Sequence, residues 1–204
     1  MLPHYPPSVP SLLFVLSGPS GVGKDAVISR LKEQHAPYHF TVTVTTRPPR
    51  VGEVHGVSYF FVSEQEFHGS RERGELLEWA SVHGYHYGTP IAQVREALAA
   101  GKDVFLKIDV QGAAQVKQRV PDAVFIFLGP PSVDDLMARM TQRGTETSEE
   151  MDIRIRNAYE EMKQLAAYDY LVVNPEKLLD RAVDEIRCIV AAEKCRVKPR
   201  SIVL

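Results

Sequence analysis

The stretch LSGPSGVGKDAVISRL, Leu16 to Leu31, limits the fold more than any other part of the chain. It continues an apolar run, SLLFVL, that reads as a buried strand, and it leads into a segment with Ala26, Val27, Ile28 and Leu31 at helical spacing. Between strand and helix stand Gly18, Pro19, Ser20, Gly21, Val22, Gly23 and Lys24, the Gly-x4-Gly-Lys pattern of a phosphate-binding loop. Glycines in such a loop let backbone N–H groups close around phosphate oxygens. The helix N-terminus adds partial positive charge, and the lysine reaches the terminal phosphates. The pattern breaks its own rule one residue later, where Asp25 replaces the usual Ser or Thr.

The rest of the chain keeps the strand–helix rhythm. DVFLKIDV, AVFIFLGP and YDYLVVN read as strands. Helices are predicted from Thr89-Pro90 to Gly101 with Thr89 as cap, and from Ala113 to Arg119. Two more carry capping-box patterns, Ser132 with Asp135 and Thr147 with Glu150, and a last one spans Pro175 to Lys194. Alternation of this kind predicts a P-loop NTPase-type α/β fold, a parallel sheet flanked by helices on both faces. HFTVTVTT, VSYFFV, ELLEWASV and YHYG read as short strands, with a capped helix in SEQEFHGSRERG, and they interrupt the rhythm. We therefore expect one domain with its core in 11–40, 89–133 and 164–198, an inserted β-rich lobe over 41–88, and a charge-rich helical insertion over 134–163. KCRVKPRSIVL runs past the last helix, either as an arm on the body or as a means of association.

Bulk properties exclude some classes. With 204 residues, 44% hydrophobic and 25% charged, the chain has the make-up of one soluble domain. A net charge of -2 gives no reason to expect a nucleic-acid or membrane-surface partner. No apolar run approaches the ~20 residues of a membrane span. The start, MLPHYPPSVP, has neither an apolar core nor an Arg-rich amphipathic pattern, so a cytoplasmic protein is expected. Cys188 and Cys195 suit neither a metal nor a redox motif, and the scattered histidines, HGYH included, complete no zinc pattern.

Several polar residues are placed where chemistry needs them. Arg47 and Arg50 share a Pro-stiffened loop, and two guanidinium groups can clamp one phosphate. Tyr59 and Tyr87 offer phenolic hydroxyls to the same anion. Glu78 lies between apolar residues in GELLEWA, and a half-buried carboxylate needs donors. Guanine supplies two adjacent ones, N1–H and the N2 amino group; adenine has no N1–H and would leave the carboxylate unpaired. Arg139 and Arg143 stand four apart on one predicted helix, with Arg154 on the next. Positive charge on a closing element serves phosphoryl transfer.

Taken in order, the phosphate loop, TTRPPRVGEVHGVSYFFV, GELLEWASVHGYHYGTP, IDVQGA and RGTET resemble guanylate kinase, from about Ser17 to Asn174. The resemblance implies transfer of the ATP γ-phosphate to GMP or dGMP, with Mg²⁺ accompanying ATP. It implies that Arg47, Arg50, Tyr59 and Tyr87 hold the GMP phosphate, that Glu53 orients the arginines, and that Glu78, Thr43, Thr89 and Asp109 line the guanine. The 134–163 segment would be the lid bearing Arg139, Arg143 and Arg154, and Asn174 would lie beside the adenine. The protein would act as a monomer or homodimer. Two other functions are weighed: a guanylate-kinase-like scaffold module, which typically lacks the loop lysine and lid arginines, and a kinase for another phosphorylated acceptor such as a ribose bisphosphate, which would not need Glu78.

Two departures from the family pattern stand out. Asp25 replaces the Mg²⁺-ligating Ser or Thr, and Lys107 stands where an acid is usual, two residues before Asp109. A lone carboxylate ~4 Å from a phosphate charge would cost roughly 4 kcal/mol at an effective dielectric of 20. The site is dead, or Asp25 holds the metal while Lys107 balances charge, or Asp25 pairs with Lys107 and leaves Mg²⁺ to phosphates and water. Because Lys24, the arginines and Glu78 all stand, a rewired site is the reading that fits.

Overall fold

A computed structural model describes residues 10–34, 37–82, 84–141 and 148–204. The proline-rich start, Arg143 and Thr147 lie outside them, as does His83.

β1 (Leu13–Ser17) is apolar on both faces because it is covered on both faces. Phe14 and Leu16 point into a core with Leu31 and Ile186. Leu13 and Val15 point into a second core with Val94, Val116 and Phe125. Around β1 a parallel sheet forms in the order β2 (His39–Phe40), β7 (Val104–Lys107), β1, β8 (Val124–Gly129), β9 (Tyr170–Val173). The first core packs beneath α1 (Lys24–Glu33) and α7 (Leu179–Lys194), and the second beneath α3 (Ile91–Ala99) and α4 (Val110–Arg119).

The insertion is a four-stranded mixed sheet, β4 (Phe60–Phe61), β3 (Val44–Thr45), β6 (Tyr85–Pro90), β5 (Leu76–Val82), with α2 (Glu64–Glu72). The alternating run HFTVTVTT is therefore two strands in two sheets rather than one. Where the chain crosses between them, the Gln93 amide donates to the Val42 carbonyl and accepts the Val42 N–H, both at 2.9 Å, so a side chain replaces the missing ladder. The capping box of α2 forms as the sequence implies, Ser63 with Glu66.

Three helix starts differ from expectation. Thr89 does not cap α3; Pro90 takes that position without a side-chain bond, and the Thr89 hydroxyl is used elsewhere. α4 begins earlier, at Val110, because Asp109 caps it through the Gly112 N–H at 2.8 Å. α7 begins later than Pro175, since Lys177 takes a left-handed turn at φ 64°. α5 (Val133–Thr141) starts at Ser132, whose hydroxyl accepts the Asp135 N–H at 3.0 Å, and α6 (Ser148–Lys163) follows. The C-terminal stretch is an arm: Ile202 and Leu204 pack on the second core, and Arg200 donates to Glu193 at 2.9 Å.

Candidate active site

The phosphate loop leaves β1 and closes on α1. Gly23 caps that helix at φ 100°, and no side chain hydrogen-bonds its first-turn N–H groups. A Cβ there would lie 2.6 Å from the Asn174 amide. The Lys24 ammonium donates to the carbonyls of Gly18 at 2.5 Å and Pro19 at 3.0 Å. Burial lowers its pKa, against the pull of Glu161, Asp109 and Asp25. The Ser20 N–H donates to Glu161 Oε2 at 3.0 Å, so a carboxylate from α6 uses a loop donor.

Asn174 and Arg139 brace the loop. Asn174 is buried, and its amide donates to the Val22 carbonyl at 2.8 Å. Arg139 donates to the same carbonyl at 3.3 Å and to the Asn174 carbonyl at 2.7 Å. Neither side chain lines the cleft in this structure, where adenine and phosphate contacts were expected of them. Arg154 does line it.

Asp25 and Lys107 meet: the Lys107 ammonium donates to Asp25 Oδ1. Burial alone would lower the lysine's pKa, but Asp25 and Tyr59 outweigh it and hold the ammonium above its ordinary value. Tyr59 is shared. Its ring lies 5.5 Å from the Lys107 nitrogen and 5.5 Å from the Arg47 guanidinium, and 6.1 Å edge-on from Tyr87.

Arg47 is buried and locked. Its guanidinium donates to both Glu53 oxygens, at 2.7 and 2.9 Å, and to the Pro48 carbonyl at 2.7 Å. The Arg50 N–H donates to the same carboxylate at 2.7 Å, while the Arg50 side chain is exposed. Arg47 holds the Glu53 carboxyl below the usual carboxylate range.

Glu78 is 3% exposed, and its Oε1 accepts the Thr89 hydroxyl at 2.6 Å. Burial pushes its carboxyl up to about 7. Behind it stands Gly112, where any Cβ would collide with the Glu78 carboxylate. β5 is fastened from α4: the Gln115 amide spans the Trp79 backbone, and Arg119 donates to the carbonyls of Leu76 at 2.8 Å and Leu77 at 2.7 Å. Sequence reasoning assigned no role to Gly112, Gln115, Arg119 or Glu161. The first could have been found in IDVQGA as a helical glycine needing a reason; the others carry no local signal.

One cleft of about 940 Å³ is lined by Lys24, Asp25, Lys107, Thr43, Glu78 and Tyr87 together, while Arg47, Arg50, Glu53 and Thr89 stand outside its lining.

The model of the guanylate kinase family matches residues 11–193. The chain is 50% identical over 185 residues to a guanylate kinase of Halalkalibacterium halodurans, covering 91% of this chain and 90% of that one. It is 48% identical over 192 residues to a guanylate kinase of Desulfitobacterium hafniense, covering 94% and 95%. Among solved structures it is similar to guanylate kinase from Anaplasma phagocytophilum, with a TM-score of 0.75 and 30% identity over 93% of this chain and 89% of the other.

Proposed function

The chain belongs to the guanylate kinase family, whose members phosphorylate GMP from ATP, and we propose that its cleft divides that work between the phosphate loop and the Glu78 end. The observation that carries this reading is the buried carboxylate of Glu78 in the same cleft as Lys24. Guanine N1–H and N2–H would satisfy it, and the Thr89 hydroxyl already orients it. Adenine would leave it desolvated and unpaired, which is how such a site rejects the wrong base.

Arg47 is preset by Glu53, so it meets the GMP phosphate with little left to order, and Tyr59 and Tyr87 add hydroxyls beside it. The loop N–H groups and Lys24 would hold the β- and γ-phosphates once Glu161 gives way. Closure of the 41–88 lobe and the 134–163 lid would bring Arg154, which lines the cleft, toward the transferring group and exclude water, while Arg139 braces the loop through the Val22 carbonyl. Transfer is direct: the GMP phosphate oxygen attacks the γ-phosphorus, ADP leaves, and no enzyme nucleophile is needed.

Family membership implies Mg²⁺ with ATP. The donor set fits a hard cation held mainly by phosphates and water: Asp25 offers one carboxylate beside Lys24, and Lys107 balances its charge. When bound, Mg²⁺ would neutralise charge on the β- and γ-phosphates. The Asp25–Lys107 contact favours a rewired site over a decayed one. Retention of Lys24 and the lid arginines argues against a scaffold module.

A coupled ADP-release assay across GMP, dGMP, AMP, CMP and UMP tests the reading. We expect GMP to exceed AMP by at least about 100-fold in kcat/KM. Absence of turnover with GMP would overturn it.

A further inference from the structure

Away from the cleft, α2 and β6 bring three ligating side chains together. Glu64 and His68 stand at i,i+4 on α2, and His86 comes from β6. Glu64 Oε2 lies 3.5 Å from His68 Nε2 and 3.5 Å from His86 Nε2, and all three atoms fall within 4.8 Å of one another. These separations are long for hydrogen bonds. They match a metal site better: two ligands each about 2.0–2.1 Å from a tetrahedral Zn²⁺ stand about 3.3–3.4 Å apart.

The rings are held by packing. His86 stacks on buried Phe67 at 5.2 Å and 19°, and His68 meets His86 edge-on at 5.1 Å. The His86 backbone donates to the Thr46 hydroxyl at 3.0 Å and accepts the Thr45 hydroxyl at 2.9 Å. The capping box fixes the turn that carries Glu64. Both Nδ1 atoms are buried, and both Nε2 atoms turn to one carboxylate.

We propose that Glu64, His68 and His86 form a site for a borderline divalent transition cation, with Zn²⁺ as its type and water as fourth ligand. Two imidazoles and a carboxylate suit such ions, whereas Mg²⁺ takes oxygen ligands, so this site is separate from the ATP-associated metal. The cation would clip α2 to β6, the strand that also carries Tyr87 and Thr89. It is a stabilising site on the lobe and does not depend on the kinase reading.

The test uses the full chain carrying Cys188→Ser and Cys195→Ser, since both thiols are exposed and would take zinc themselves. Equilibrium dialysis against Zn²⁺ with excess Mg²⁺ should give one equivalent bound, and adding His68→Ala with His86→Ala should remove it. Co²⁺ should give the visible absorption of a tetrahedral site in the parent and none in the double-His variant. Zn²⁺ should raise Tm in the parent only, and Glu64→Gln should weaken binding at least tenfold. Equal zinc uptake by parent and double-His variant, or a Tm that falls on mutation yet never responds to zinc, would show a plain imidazole–carboxylate cluster and overturn the proposal.

Discussion

The Lys107 ammonium donates to the Asp25 carboxylate within the cleft, joining the two positions at which the sequence departs from the guanylate kinase pattern it otherwise resembles. An acid after the loop lysine would repel polyphosphate, and a lysine on the strand would compete with Lys24. Paired, they cancel. Asp25→Ser and Lys107→Asp should each lower kcat/KM for ATP at least tenfold, and the double variant should recover most of the loss. A double-mutant cycle should give a coupling energy above about 1 kcal/mol, the mark of contacting residues. Simple additivity would mean that the two substitutions are unrelated.

Lys24 spends its hydrogen bonds on the Gly18 and Pro19 carbonyls, which keeps the ammonium at the mouth of the loop. Lys24→Met should lower phosphoryl transfer by a factor on the order of 10³ or more. Circular dichroism and Tm separate that loss from misfolding. Turnover close to the parent's would remove Lys24 from the mechanism.

The core strands were legible because β1, β7 and β8 are buried on both faces and leave unbroken apolar runs. The loop was legible because its glycines and lysine are contiguous. The lobe was harder. HFTVTVTT alternates throughout, and only the distant Gln93 shows where it changes sheet. Thr89 reads as a helix cap from its Pro90 neighbour, but a buried carboxylate outbids a helix end for its hydroxyl. Arg139 and Asn174 converge on the Val22 carbonyl from elements far apart in sequence, so no local pattern could foretell it.

Gly112 lies against the Glu78 carboxylate in the first turn of α4. Alanine is the better helix former by about 1 kcal/mol, so Gly112→Ala should not harm the helix. It should instead push Glu78 out of place. We expect KM for GMP to rise at least tenfold while ATP affinity stays within about twofold. Unchanged GMP kinetics would mean that Glu78 does not read the base from this position.

Burial raises the Glu78 carboxyl from 4.5 to about 7. The sign follows from linkage. A raised folded pKa means that the folded state holds the proton more tightly. The resulting stability is full below the unfolded value and is lost as pH rises through the folded one, by about 3 kcal/mol across that window. Glu78→Gln should flatten the stability profile of the ligand-free protein there. GMP donors favour the ionised carboxylate, so GMP affinity should fall about tenfold per unit of pH below 7. Calorimetric titration on either side of that value checks both, and GMP affinity indifferent to pH there would rule out the carboxylate as its acceptor.

Glu161 holds a carboxylate on the Ser20 N–H, a donor suited to phosphate. ATP must displace it, against like-charge repulsion that adds to the desolvation of both anions. Glu161→Gln keeps the side-chain shape and removes the charge. ATP should then bind several-fold more tightly, with the gain shrinking as ionic strength rises, since the effect is electrostatic. Direct titration with ATP at low and high salt reads both. Weaker ATP binding in the variant would show that Glu161 serves the bound nucleotide instead of competing with it.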